Sequence, residues 1–277
     1  MSQPEDSRAN YCYRHPNRQS FVLCQRCGRT ICPECQTPGA VGVVCPECMR
    51  DQRATAPKVK SQLRTRLTGS GAPVVTYTLI GLCVLVYILQ AFSGGIVTDA
   101  LQYAGVYSQH ELFQPWRLIT SIFVHYSILH IALNMYSLLI FGALLEPLLG
   151  RIRYLVLFLI SGFAGSVAVL LIAVPEQAVG GASGAIFGLF GAFFVIQRRL
   201  GGNATQLLVL IGINLVIGFI PSFGISWQAH IGGLVGGALV GLIYTETRAP
   251  SRRPIQIGLL VLLSLILVAL SFSHYQY

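Results

Sequence analysis

From Val74 onward the sequence is divided into apolar runs long enough to cross a lipid bilayer, and no other feature restricts its fold as much. About 20 residues of helix cross a hydrocarbon core of about 30 Å, and runs of that length satisfy their backbone polar groups there as helices. Seven such runs stand at residues 74–92, 127–148, 153–174, 182–197, 204–221, 227–245 and 254–273, the fourth being short. The composition agrees, because 53% hydrophobic and only 10% charged residues do not describe two soluble domains in 277 residues. An all-α polytopic membrane protein is the expected fold class.

The positive charges orient it. Eleven of the 19 Lys and Arg precede the first run, and Arg151, Arg153, Arg198, Arg199, Arg248, Arg252 and Arg253 fall in alternate loops; only Arg117 lies on the other side. The positive-inside rule then puts the N-terminus in the cytosol and the C-terminus outside, and the regular alternation cross-checks the count of seven. The net charge of +9 is thereby explained without nucleic acid, since the basic residues flank spans instead of lining a groove with aromatics.

Residues 1–50 differ in kind, holding seven of the eight cysteines and neither a spanning run nor the charged-then-apolar opening of a signal peptide. Residues 51–73 form a basic linker with Arg53, Lys58, Lys60, Arg64 and Arg66, either a solvated tether or a segment held against anionic headgroups. Four pairs with two-residue gaps, Cys12 and His15, Cys24 and Cys27, Cys32 and Cys35, Cys45 and Cys48, have the spacing of zinc knuckles. Disulfides are the alternative, but cytosolic thiols stay reduced. Only four residues separate Cys27 from Cys32, too few for those two pairs to face one ion. An interleaved arrangement is expected: Cys12, His15, Cys32 and Cys35 on one structural zinc, Cys24, Cys27, Cys45 and Cys48 on another. This resembles the cross-braced B-box and RING type of zinc finger. With all eight ligands used, neither ion has an open position for hydrolysis.

Polar side chains inside spans are expensive and usually face a functional interior. Four stand out: His130 and Asn134 in the second run, Ser183 in the fourth and His230 in the sixth. Each has a plainer reading. Ser183 sits among Gly180, Gly184 and Gly188, a small-residue ridge for helix packing; Asn134 could join helices, His230 could be a buried structural histidine and His130 an interfacial one. Depth distinguishes these readings. Counting from the inner charges Arg198, Glu246 and Arg151 at about 1.5 Å per residue, Ser183, His230 and Asn134 lie roughly 22, 24 and 25 Å along their helices. All three therefore sit in one layer about 5 to 8 Å below the outer surface of a 30 Å core. Gly232, Gly233, Gly236 and Gly237 of the sixth run allow close approach to Gly184 and Gly188. Such contact could bring the Ser183 hydroxyl to the His230 ring, as a nucleophile and its base require, while His130 and Asn134, at i and i+4, share a face.

These residues resemble a known family, the rhomboid intramembrane serine proteases. The matching text is "WR" at Trp116 and Arg117, "HYSILHIALN" from His125 to Asn134, "GALLE" ending at Glu146, "GASG" from Gly181 to Gly184 and "AHIGGLVGG" from Ala229 to Gly237, in family order. The resemblance implies a six-helix core over 74–247, with residues 248–277 adding a basic loop and a seventh transmembrane helix. It implies Ser183 as nucleophile, His230 as general base, and an oxyanion hole of His130, Asn134 and the Ser183 backbone N–H. Trp116, Arg117 and Glu146 would be structural, as would His125. Phe187 departs from the family, which often has a tyrosine stacked on the catalytic imidazole there.

The function expected is endopeptidase cleavage of transmembrane protein substrates near the outer side of a bacterial plasma membrane, with no cofactor in the chemistry and a possible protein partner for the zinc domain. A catalytically silent rhomboid-like protein that escorts membrane clients is one rival, although such proteins usually lack the serine or the histidine. A transporter is another, although transport sites favour the midplane.

Overall fold

The computed structural model describes residues 10–39, 42–55, 72–219 and 225–273, so most of the basic linker, including Lys58, Lys60, Arg64 and Arg66, lies outside the described residues. The chain divides into two compact units, Met1–Gln62 and Leu63–Tyr277.

In the first unit β1 (Tyr11–Cys12) pairs antiparallel with β2 (His15–Gln19), and β3 (Thr37–Pro38) with β4 (Val43–Val44), before α1 (Pro46–Thr55). Its buried centre is mostly sulfur: Cys12, Cys24, Cys32, Cys35, Cys45 and Cys48 surround Ile31 and Val44. So small an aliphatic core cannot offset the chain entropy of folding, and no disulfide supplements it.

The second unit is helical: α2 (Val74–Phe92), α3 (Ile96–Leu101), α4 (Arg117–Thr120), α5 (Ile128–Leu149), α6 (Arg151–Ile172), α7 (Ser183–Arg199), α8 (Thr205–Gly218), α9 (Trp227–Glu246) and α10 (Arg253–Ser271). Among the described residues five helices are long and apolar enough to cross a membrane. The fourth and fifth expected spans are shorter, with 17 residues in α7 and 14 in α8. The shortness of α7 has a consequence. If Arg198 and Arg199 mark one membrane boundary, its length of about 25 Å would leave its first residue, Ser183, short of the far side of a core of about 30 Å.

Glycine decides how α7 and α9 meet. A Cβ built on Gly233 or Gly237 would overlap the carbonyls of Gly184 and Gly188, and one on Gly241 would lie 2.8 Å from Ala192 Cα. Gly232 and Gly236 serve a different neighbour than the sequence suggested. They face α6, where a Cβ on Gly236 would stand 2.6 Å from that of Ala164. Helix α9 is therefore bare on two sides and sits clamped between α6 and α7.

Buried Glu146 near the end of α5 accepts from the backbone N–H of Val75 and Thr76 at 2.9 and 2.8 Å and from the Thr76 hydroxyl at 2.8 Å. It supplies the cap that Pro73 cannot give α2, whose first N–H groups are otherwise orphaned. The segment between α2 and α5 is organised by Arg117, which is 6% exposed. Its guanidinium donates to the carbonyls of Asp99 and Gln102, to Gln114 Oε1 at 2.7 Å, and lies 3.9 Å over the Tyr107 ring. Trp116 beside it is exposed.

Candidate active site

A cavity of about 590 Å³ opens among α5, α6, α7 and α9, and Ser183, His230, His130 and Asn134 all line it. Each is delivered by its own local structure. Ser183 is the first residue of α7, where the backbone N–H groups have no intrahelical partner and the helix dipole is positive. His230 lies in the first turn of α9, which Ser226 caps by accepting from the Ala229 N–H at 3.3 Å. The residues next to the pair touch: a Cβ on Gly184 would lie 3.2 Å from the Ala229 carbonyl oxygen. A side chain at Gly184 would press the two helix ends apart by a few tenths of an ångström.

His230 is 6% exposed, and its ring stacks on Phe187 with centroids 4.1 Å apart and planes 13° from parallel. The aromatic seat for the imidazole is thus kept without a hydroxyl. The buried His230 Nδ1 has no hydrogen-bond partner, and among the described residues no carboxylate lines the cavity. The imidazole therefore has no acidic partner among the described residues of the cavity wall.

On the opposite wall, Ser127 caps α5 by accepting from the His130 N–H at 3.1 Å. The Tyr126 N–H approaches His130 Nδ1 at 3.4 Å, and the Tyr126 ring stacks 6.1 Å away. A ring nitrogen that accepts leaves the proton on the other, so this contact favours Nε2–H. That nitrogen faces the serine: a Cβ built on Gly181 would sit 2.8 Å from His130 Nε2 and 3.7 Å from Ser183 Oγ. Gly181 has φ +132°, a conformation side-chain-bearing residues avoid, and its missing side chain leaves that space open. Asn134, 7% exposed, donates from Nδ2 to the His130 carbonyl at 2.8 Å and keeps a second N–H. The cavity thus holds a hydroxyl, a buried imidazole and several N–H donors, the groups acyl transfer needs.

His125 stands outside the cavity lining, its ring 5.0 Å from that of His130. Its backbone is fixed by Gln90, whose Oε1 accepts from the His125 N–H at 3.0 Å and whose Nε2 donates to the His125 carbonyl at 3.2 Å. Gln90 was not visible as a site-supporting residue, since one glutamine at the end of an apolar run carries no spacing signal. The same holds for the bridge between Tyr103 and Val179 (N···O 3.0 and 2.7 Å) that steadies the approach to α7, and for Asn214 of α8, which also lines the cavity.

In the N-terminal unit the eight ligand candidates gather in the interleaved combination: Cys12, His15, Cys32 and Cys35 in one group, Cys24, Cys27, Cys45 and Cys48 in the other, with the ligand atoms of each within 4.8 Å of one another. His15 Nδ1 is 3.4 Å from both Cys32 and Cys35 Sγ, so it is the ring nitrogen that could join them on a metal. At Cys24 burial raises the thiol pKa, but the Cys45 N–H at 3.1 Å and the N–H groups of Cys27 and Arg26 outweigh it and hold the pKa down at about 6, whereas at Cys48 of the same group the neighbouring Cys45 sulfur pushes it up to about 12. Thiolate is the form a metal takes.

A model of the Rhomboid domain family matches residues 112–247. The rhomboid protease GluP of Bacillus subtilis is 35% identical over 216 residues, covering 74% of this chain and 41% of that protein. The mitochondrial RHOMBOID-like protein 6 of Arabidopsis thaliana is 39% identical over 137 residues, covering 47% of this chain and 44% of that protein. YdcA of Bacillus subtilis is 34% identical over 138 residues, covering 48% of this chain and 69% of its own length. The chain therefore spans less than half the length of the first two relatives.

Proposed function

The chain belongs to the rhomboid family, and from that premise we propose that it is an intramembrane serine endopeptidase that cuts transmembrane segments of other proteins. The observation that carries this reading is that Ser183, His230, His130 and Asn134 line one cavity, with no carboxylate among the described residues of its wall. A substrate helix unwinds near one membrane surface and presents a carbonyl to Ser183. His230 takes the hydroxyl proton and later gives it to the leaving amine. The oxyanion is received by His130 Nε2–H, the free Asn134 N–H and the Ser183 backbone N–H at the positive end of α7. Water entering the cavity hydrolyses the acyl-enzyme.

Pairing the two Cys and His groups with structural zinc accounts for a unit whose apolar core is too small to hold it. Two tetrahedral ions would join knuckles that the short strands cannot hold, and neither would reach the chemistry. Residues 1–50 then form a zinc domain on a cytosolic N-terminus, with 51–73 as linker, 74–247 as protease core and 248–277 as the added seventh helix. The positive charges favour that orientation, with an extracytosolic C-terminus, and the likeness to two Bacillus subtilis proteins supports a bacterial plasma membrane.

The experiment is cleavage of a single-span model substrate by purified protein in lipid nanodiscs. Loss of cleavage in both Ser183→Ala and His230→Ala is expected. Cleavage by either variant at the parent rate would refute the dyad. A parent that binds the substrate without cutting it would favour the client-escort alternative.

A further inference from the structure

A second hollow, of about 510 Å³, lies where α5 turns into α6, and is lined by Leu149, Gly150, Arg151, Ile152, Arg153 and Arg253. Three arginines and no carboxylate share it. The ion pairs among the described residues are Arg18 with Glu34, Arg29 with Glu47 and Arg199 with Glu246, so none neutralises these three. Arg153 lies 5.9 Å over the Tyr244 ring, a contact that supplies no counter-charge, so an anion in the hollow would complement all three.

The backbone offers a second set of donors at the same place. Gly150, at φ +83°, turns the chain so abruptly that α6 begins at the next residue. The first hydrogen bond of the new helix runs from Tyr154 N–H to the Gly150 carbonyl at 3.0 Å, which leaves the N–H groups of Arg151, Ile152 and Arg153 without an acceptor among the described residues. No side chain caps α6 or α10, whose first residue is Arg253. Nothing lies within 4 Å of a Cβ built on Gly150, so the turn is open to an incoming group. Ile152, 77% exposed, puts an apolar surface beside the charges.

We propose that this hollow is a binding site for the phosphate of an anionic membrane lipid. The guanidiniums and the unpaired N–H groups take the phosphate oxygens, and Leu149 and Ile152 take the start of the acyl chains. A headgroup held there joins the α5–α6 turn to the first residue of α10. Elsewhere α10 is held by Leu267 against Ala164 and Val167 and by Gln256, whose Nε2 donates to Thr247 Oγ1 at 2.7 Å. The lipid therefore fastens the seventh helix to the six-helix core. This inference is independent of the proteolytic reading.

The test uses the full chain in neutral detergent, with thermal unfolding and native mass spectrometry in the presence of phosphatidylglycerol, diphosphatidylglycerol, phosphatidylcholine or inorganic phosphate. The two anionic lipids should bind and raise the unfolding temperature, and phosphatidylcholine and inorganic phosphate should not. The double variant Arg151→Gln with Arg253→Gln should bind the anionic lipids about thirtyfold more weakly, roughly a tenfold or smaller factor for each charge. Arg248→Gln, which removes an exposed charge outside the hollow, should bind like the parent, and the double variant Arg151→Lys with Arg253→Lys should keep most of the binding. Undiminished lipid binding by the double glutamine variant, or an equal loss in Arg248→Gln, would overturn the site. An equal shift from inorganic phosphate would overturn its assignment to lipid.

Discussion

Replacing Gly181 by alanine should remove most activity from a site whose proposed catalytic side chains are all intact. The added methyl would lie 2.8 Å from His130 Nε2, 2.9 Å from its Cε1 and 3.7 Å from Ser183 Oγ, in the space assigned to the oxyanion by the proposed mechanism. A methyl cannot share that space with an oxygen, so either the His130 ring swings away or the tetrahedral carbon cannot form. Loss of one oxyanion donor lowers kcat by about 10² to 10³. At φ +132° the residue also carries backbone strain of about 1 to 3 kcal/mol, which should lower the unfolding temperature by several degrees without unfolding the protein at assay temperature. The assay is kcat on a single-span substrate for parent, Gly181→Ala, His130→Ala and the double variant, alongside thermal unfolding. If the methyl acts through His130, its effect should shrink sharply once that ring is absent. A Gly181→Ala enzyme that keeps kcat within about threefold, about 0.7 kcal/mol of barrier, would refute this geometry. Fully additive losses would show that the methyl acts elsewhere.

Phe187→Tyr should keep kcat within about tenfold because the stacked ring remains, whereas Phe187→Ala should lose stacking worth about 0.5 to 1.5 kcal/mol in addition to its buried area, read as kcat and unfolding temperature. Gly237→Ala should destabilise the protein by about 1 to 3 kcal/mol, measured by thermal unfolding, because its methyl would overlap the Gly188 backbone. Glu146→Ala should cost about 1 to 3 kcal/mol by orphaning the Val75 and Thr76 N–H groups, and should leave the pH dependence of kcat unchanged. Elemental analysis should find two zinc ions per chain, and chelation should expose residues 10–55 to protease while cleavage of a model substrate continues.

Much of this architecture was legible because membrane and metal both impose periods on sequence. Apolar length gave the helices, and alternate basic loops gave their expected order across the bilayer. The two-residue gaps at Cys12, Cys24, Cys32 and Cys45 foretold how the ligands gather, since the tight link from Cys27 to Cys32 left interleaving as the comfortable arrangement. Depth, a one-dimensional quantity that residue counting measures, led to the expectation that Ser183, His230 and Asn134 lie together, and all three line one cavity. What counting does not measure is rotation about the helix axis. It therefore missed that Gly232 and Gly236 face α6, that Asn214 turns into the cavity, and that Gln90 reaches back to hold His125. Of the fifth expected run, 204–221, α8 takes Thr205–Gly218, and residues 220–221 lie outside the described residues.

The most direct test of the central claim is the position of a covalent adduct. The protein in neutral detergent is treated with a fluorophosphonate, digested and sequenced by mass spectrometry, for the parent and for His230→Ala. A single adduct on Ser183 Oγ in the parent, and little or none in His230→Ala, is the predicted result. An adduct on another serine, or labelling of Ser183 that is as fast without His230 as with it, would contradict the account.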